Sequence, residues 1–176
     1  MYRLLTVICA VLVVAGSASA VVVTLPDTSQ GTTFTATVSE QANVSVPAEV
    51  DFTVVNVSAA TASAAQTVSA TTVVLLNGQA LRVELQADAA DFTAPAGGTV
   101  TWAAGNISWN AATWSNGTGA TGTLSSAAYT KLADSNANAG SMSANNLVFT
   151  LAAKATVDRA GDHTLTATWK FSSITP

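Results

Sequence analysis

Apolar and polar residues alternate with a period of two along most of this chain, and sustained stripes of period 3.6 are almost absent. Successive side chains on a strand point to opposite faces, so this alternation predicts an all-β protein. The clearest case surrounds Asn77-Gly78, which joins TVSATTVVLL to QALRVELQA. Asn-Gly tolerates the positive φ angles of a two-residue type I′ turn, so the two runs are expected to form a hairpin with Leu76 opposite Gln79. In that register Val68, Ala70, Thr72 and Val74 share an apolar face with Leu81, Val83, Leu85 and Ala87. Ser69, Thr71 and Val73 share the other face with Arg82, Glu84 and Gln86, as in a sheet that covers a core on one side and meets water on the other.

The same alternation predicts strands at TTFTATV (32–38, with Phe34, Ala36 and Val38 inward), VDFTVVNV (50–57), GTVTWA (98–103), NISWN (106–110) and NLVFTLAA (146–153). A last strand is expected from His163 to Phe171, with Leu165, Ala167, Trp169 and Phe171 inward and Thr164, Thr166, Thr168 and Lys170 in water. Turn signals at Val46-Pro47, Pro95-Ala96-Gly97-Gly98, Gly105-Asn106, Asn116-Gly117 and Gly161-Asp162 separate these runs. SSAAYTKLADS (125–135) reads as a short helix. Eight or more short strands at this spacing predict an antiparallel two-sheet β-sandwich, of jelly-roll or immunoglobulin-like type.

The chain opens with Arg3 ahead of an uncharged apolar run, Leu4 to Ala15, followed by Ala18-Ser19-Ala20. This is the pattern of a secretory signal peptide cleaved after Ala20, and the run is shorter than the ~20 residues a spanning helix needs. Residues 21–176 are then expected to form a single exported domain, secreted or at the cell surface, with no membrane contact after cleavage. Cys9 is the only cysteine and lies in the leader, so the exported part has no disulfide, thiol chemistry or cysteine metal site. Charged residues make up only 9% of the chain, with a formal net charge of -4. A phosphate-binding face needs several clustered Lys or Arg, so nucleic acid is excluded as a partner.

Ala160-Gly161 followed by a threonine-rich strand carrying Trp169-Lys170-Phe171 resembles the end of the WxL domain of Gram-positive surface proteins. Phe171 stands where that family has Leu, and the place of its earlier Trp-x-Leu is taken by Leu81-Arg82-Val83. The resemblance implies association with peptidoglycan. A looser similarity links the chain to secreted fibre-forming β-sandwiches of the spore coat U, camelysin, TasA and fimbrial types. It rests on the leader, the low-charge Thr/Ala/Val/Asn composition, and the apolar strand VVVTL (21–25) ended by Pro26-Asp27. It implies that Val21, Val22, Val23 and Leu25 add as a strand to the sheet of a neighbouring subunit. Pairing of the same segment within its own subunit is the alternative.

Little in the sequence carries bond-making chemistry. His163 is the sole histidine; Asp162 precedes it, but neighbours on a strand point to opposite faces, and no G-x-S-x-G elbow accompanies them. His163 is therefore expected at a strand start on the rim, without a catalytic role. The nearest acidic pair, Asp88 and Asp91, flanks two alanines at a strand end. No enzyme activity and no bound cofactor are expected. Asp134, Asn136 and Asn138, followed by Gly140, resemble the start of an oxygen-ligand loop and are a candidate calcium site. Trp102 and Trp109 are expected in the core beside Trp169. Trp114, in the loop-like run AATWSNGTG, is expected to be exposed, where it would stack on a sugar ring. Asn43, Asn56, Asn106 and Asn116 each begin an N-x-S/T sequon.

Two functions follow as expectations. The leading one is an exported structural or adhesive subunit that polymerises with itself through the strand 21–25. The alternative is a carbohydrate- or cell-wall-binding module that meets a surface glycan through Trp114.

Overall fold

The computed structural model describes residues 21–176, so the expected leader lies outside the described residues. The chain divides between Thr37 and Val38 into two units. In the first, residues 21–37 form no helix or strand. Their one local knot is at Asp27, whose carboxylate accepts from Ser29 N, Ser29 Oγ and Gln30 Nε2 at 2.9, 2.6 and 3.0 Å. The strand expected over 32–38 is not formed, and Phe34 is 93% exposed. Alternation chooses a face for these side chains and does not by itself supply a neighbouring strand.

The second unit, Val38–Pro176, is all β. Its strands are β1 (Gln41–Ser45), β2 (Thr61–Ala62), β3 (Gln66–Val74), β4 (Ala80–Ala87), β5 (Ile107–Trp109) and β6 (Gly117–Gly119). They continue as β7 (Gly122–Thr123), β8 (Thr130–Ser135), β9 (Met142–Leu147), β10 (Phe149–Leu151) and β11 (Ala167–Ile174). All ladders are antiparallel, in sheets ordered β1-β3-β9, β2-β10-β5-β7 and β11-β4-β8-β6. One 3₁₀ turn, Ala104–Asn106, accompanies them; no helix among the described residues is long and apolar enough to cross a membrane.

The expected hairpin at Asn77-Gly78 is corrected in an instructive way. The turn closes, with Gln79 N donating to Leu76 O at 3.0 Å, but β3 and β4 part into different sheets. Only Gly78 has positive φ, 84°, as in a type II turn; a type I′ turn would need it at Asn77 as well, and type II geometry splays the flanking strands. The expected faces hold on β4, where Leu81, Val83, Leu85 and Ala87 are all buried. On β3 they hold only as far as Ala70. Thr72 sits at φ 50°, a left-handed kink opposite a register shift in β1, and the phase of alternation reverses beyond it. Val73 and Leu75 then pack on the core, while Val74 and Leu76 face outward.

Other expectations divide similarly. NISWN supplies β5, and NLVFTLAA supplies the end of β9 and then β10, broken at Val148, whose N–H donates to Asn110 Oδ1 at 2.8 Å. SSAAYTKLADS is not a helix; its second half is β8. GTVTWA keeps only an isolated bridge, Ala103 with Asp91. The closing strand starts at Ala167, later than expected, and pairs along its whole length with β4, placing Trp169 opposite Leu85 and Phe171 opposite Val83. Leu165, Ala167, Trp169 and Phe171 pack against the core as their alternation requires. Val68, Val83, Leu132, Met142 and Leu147 are its most completely buried large side chains.

Candidate functional site: an open groove over the core

The core is not covered everywhere. A groove of about 910 Å³ opens onto it, floored by core side chains that include Leu85, Trp102, Ile107, Leu124 and Phe149. Two stretches, Pro47–Val57 and Val157–Ala167, form its walls, irregular but for Ala167, where β11 begins, and Trp169 of that strand lies beside the second.

The first wall has strand chemistry without a strand. Val50, Phe52 and Val54 are half-buried against the core, and Asp51, Thr53 and Val55 between them are exposed. This is the alternation expected for VDFTVVNV, yet no ladder includes it, which corrects the expected strand over 50–57. Among the described residues, no hydrogen bond engages the main chain of Pro47–Val55; the nearest ones are Ala59 N to Asn56 O and Lys154 N to Val57 O. Between the bends at Ala48 and Val55, a run of amides with alternating side chains and no partner among the described residues has the makings of an unfinished sheet edge.

The second wall is held by side chains. The carboxylate of Asp158 accepts from Thr99 Oγ1 at 2.7 Å and from the N–H groups of Thr99 and Val100 at 3.1 Å. These bonds, the Thr99 hydroxyl first, lower its pKa from 3.8 to about 2. Arg159 Nε donates to Gly97 O at 3.0 Å, so this wall is tied to the Pro95–Gly98 turn as well as to Thr99 and Val100 just after it. His163 lines the groove four residues ahead of the closing strand, and not at the expected strand start. Its Nε2 lies 3.1 Å from the Arg159 carbonyl, which can only accept, so in the neutral ring Nδ1 accepts from the Thr101 hydroxyl at 2.7 Å. Its ring meets Trp102 edge-on at 5.2 Å. Among the described residues it is a backbone carbonyl that orients this imidazole through Nε2.

The remaining sequence candidates lie elsewhere. Trp114 is 6% exposed, so the expectation of a solvent-facing sugar platform is corrected: its indole packs beside Gly119, inside the core. Trp102 and Trp109 are buried too. The glycine that ends β6 and the one that begins β7 explain what loop-like composition concealed, because Gly119 and Gly122 leave room for Trp114 and Trp109 respectively.

Asp134 belongs to β8, where it accepts from Arg82 Nε and Nη2 at 2.7 and 3.0 Å and from Lys131 Nζ at 3.1 Å. Asn138, at φ 59°, grips the Asn77-Gly78 turn: its Oδ1 accepts from Gly78 N at 2.7 Å and its N–H donates to Gln79 O at 2.8 Å. Asn136 N donates to Asn116 O at 2.7 Å. The acidic candidate ligand is thus paired with two cations, and Asn138 serves the turn. Among the described residues no group of three His, Cys, Asp or Glu side chains is placed to hold a metal ion. Of the sequon asparagines, Asn106 is half-buried and accepts from Ala103 N, while Asn43, Asn56 and Asn116 are exposed, the last donating to Ser141 O.

Val21, Val22, Val23 and Leu25 are all exposed, including both faces of the predicted strand. The groove itself escaped the sequence reading, since alternation marks its first wall as a strand and nothing local reveals that the partner is missing. Comparison of the chain with protein-family models, curated proteins and solved structures returns no match.

Proposed function

We propose that this chain is an exported structural subunit of a cell-surface or extracellular assembly, and that copies join through the segment Val21–Leu25. In this reading the three sheets build a two-layer sandwich, jelly-roll or immunoglobulin-like, left incomplete on one side. The observation that carries it is the apolar segment VVVTL, strand-patterned and exposed in a single chain. Exposed apolar residues scattered singly are ordinary, but a contiguous run marks an interaction surface or an aggregation hazard. Burying Val21, Val23 and Leu25 would contribute about 1.5–3 kcal/mol each. Association costs on the order of 4–15 kcal/mol, so side chains alone leave little surplus and a main-chain ladder must supply the rest.

The glycan-binding alternative loses its platform with the burial of Trp114. Negative-stain microscopy and size exclusion of the chain purified after export test the proposal. High-mass assemblies are expected, and deletion of Val21–Leu25 should reduce them to single subunits. Identical assemblies from the deletion variant would refute it.

A further inference from the structure

We infer that the groove between Pro47–Val57 and Val157–Ala167 is the acceptor for Val21–Leu25 of a second copy, which enters as the strand that the first wall lacks. The inference rests on the strand-donation reading above and adds the place where the donor binds. Three independent features converge on this occupant.

The first is main-chain hydrogen bonding. Pro47–Val55 flanks the core and engages none of its amides or carbonyls within the described residues; between the bends at Ala48 and Val55, Glu49–Val54 runs without a turn or bend. A strand laid beside it would satisfy those groups as a ladder, which a small molecule or a folded surface would not. The second is side-chain period. Val50, Phe52 and Val54 point to the core in alternation, and Val21, Val23 and Leu25 have the same spacing and length, about 16 Å at ~3.3 Å per residue. Their side chains would drop onto the apolar floor, leaving Val22 and Thr24 outward.

The third feature is charge. The floor is uncharged and the donor segment carries no ionisable side chain, whereas the groove's lining includes the acids Glu49, Asp51, Asp158 and Asp162 against Arg159 and His163. Cleavage after Ala20, which the leader pattern predicts, gives Val21 an α-ammonium of the opposite sign to that excess of carboxylates.

Because a folded subunit would present both donor and acceptor, contacts made this way are head-to-tail and propagate into a filament unless they close into a ring. The same arrangement explains why the alternation of 50–55 is specified so well for a stretch that no ladder among the described residues includes.

Amide hydrogen exchange on the exported chain, followed across a concentration series from single subunit to assembly, tests this directly. Dilute protein should exchange rapidly at both 21–25 and 48–55, and assembly should slow both segments by at least tenfold. Ala160→Trp, at an exposed position on the groove wall, should block assembly while leaving exchange in β4 and β8 unchanged. Slowing at 21–25 without slowing at 48–55, or assembly that survives Ala160→Trp, would overturn the acceptor and leave the donor intact. Slowing at neither segment, or no assembly at any concentration, would overturn donor and acceptor together. Slowing of both in dilute, monomeric protein would mean that the arm fills its own groove, and the second-copy assignment would fall.

Discussion

ALRVELQA (80–87) and VDFTVV (50–55) carry the same in-and-out alternation and end in different circumstances. The first, β4, is flanked by β11 on one side and β8 on the other. Its inward residues are buried, and its outward ones are tied across the ladder by Arg82 with Asp134 and Glu84 with Lys170. The second has its inward residues half-buried and, among the described residues, no main-chain partner. Period two therefore decides which side of a strand meets the core, and is silent on whether a neighbour exists. Neighbours are decided by turn geometry and by which edges the rest of the chain leaves free. The contrast also separates two kinds of stability: one side of the molecule is fixed by ladders and a packed interior, the other by side-chain clasps around an open groove.

Paired substitutions on the two sides give the largest test. Leu132→Ala empties a fully enclosed site on β8 and should cost about 2–5 kcal/mol. Val54→Ala, on the open wall, should cost less than about 1.5 kcal/mol in the isolated subunit, because part of that side chain already lies in water. Urea unfolding of each variant checks the difference, and equal losses would mean that the wall is as tightly packed as the ladder side.

A second test adds atoms. An alanine Cβ at Gly122 would collide with the buried indole of Trp109, so Gly122→Ala should destabilise by about 1–3 kcal/mol. Gly31 has open space around it, and Gly31→Ala should leave the thermal midpoint unchanged within about a degree. Among the described residues Trp109 Nε1 has no hydrogen-bond partner, so packing and its place on β5 position its ring, which makes it sensitive to such a push.

These particulars show how far the sequence could be read. The all-β class, the inward face of β4 and the core-facing residues of the closing strand follow from alternation, because burial of one face is a local property of a strand. The partition of β3 and β4 into different sheets depended on one angle at Asn77, and the reversal beyond Thr72 on one left-handed residue; neither angle is written in residue type strongly enough to foresee. Trp114 was misread for a related reason. Ser, Asn and Gly around an aromatic look like a loop, and only the three-dimensional approach of Gly119 shows that they make room for it. The groove was least legible of all, because it consists of a partner's absence.

The smallest expected effect concerns the clasp on the open side. Asp158 replaces a ladder at the second wall, and its pKa in the folded chain, about 2, lies below the ordinary 3.8 because the Thr99 hydroxyl and the Thr99 and Val100 amides favour the carboxylate. A depressed acid stabilises the fold fully above its unfolded pKa, and that contribution is lost as pH falls through the folded value, here from about 4 down to about 2. Asp134 is also lowered, chiefly by its hydrogen bonds from Arg82, but it decorates strands that main-chain ladders hold in any case. Protonating Asp158 should therefore loosen the Pro95–Gly98 turn and the 157–163 wall before it affects β4, β8 or β11. Amide chemical shifts of Thr99 and Val100 should titrate near pH 2, with those of β4 unmoved over the same step, and Asp158→Asn should remove the titration. A Thr99 midpoint near 3.8, or a simultaneous shift across β4, would show that the two sides of the molecule are not held by different means.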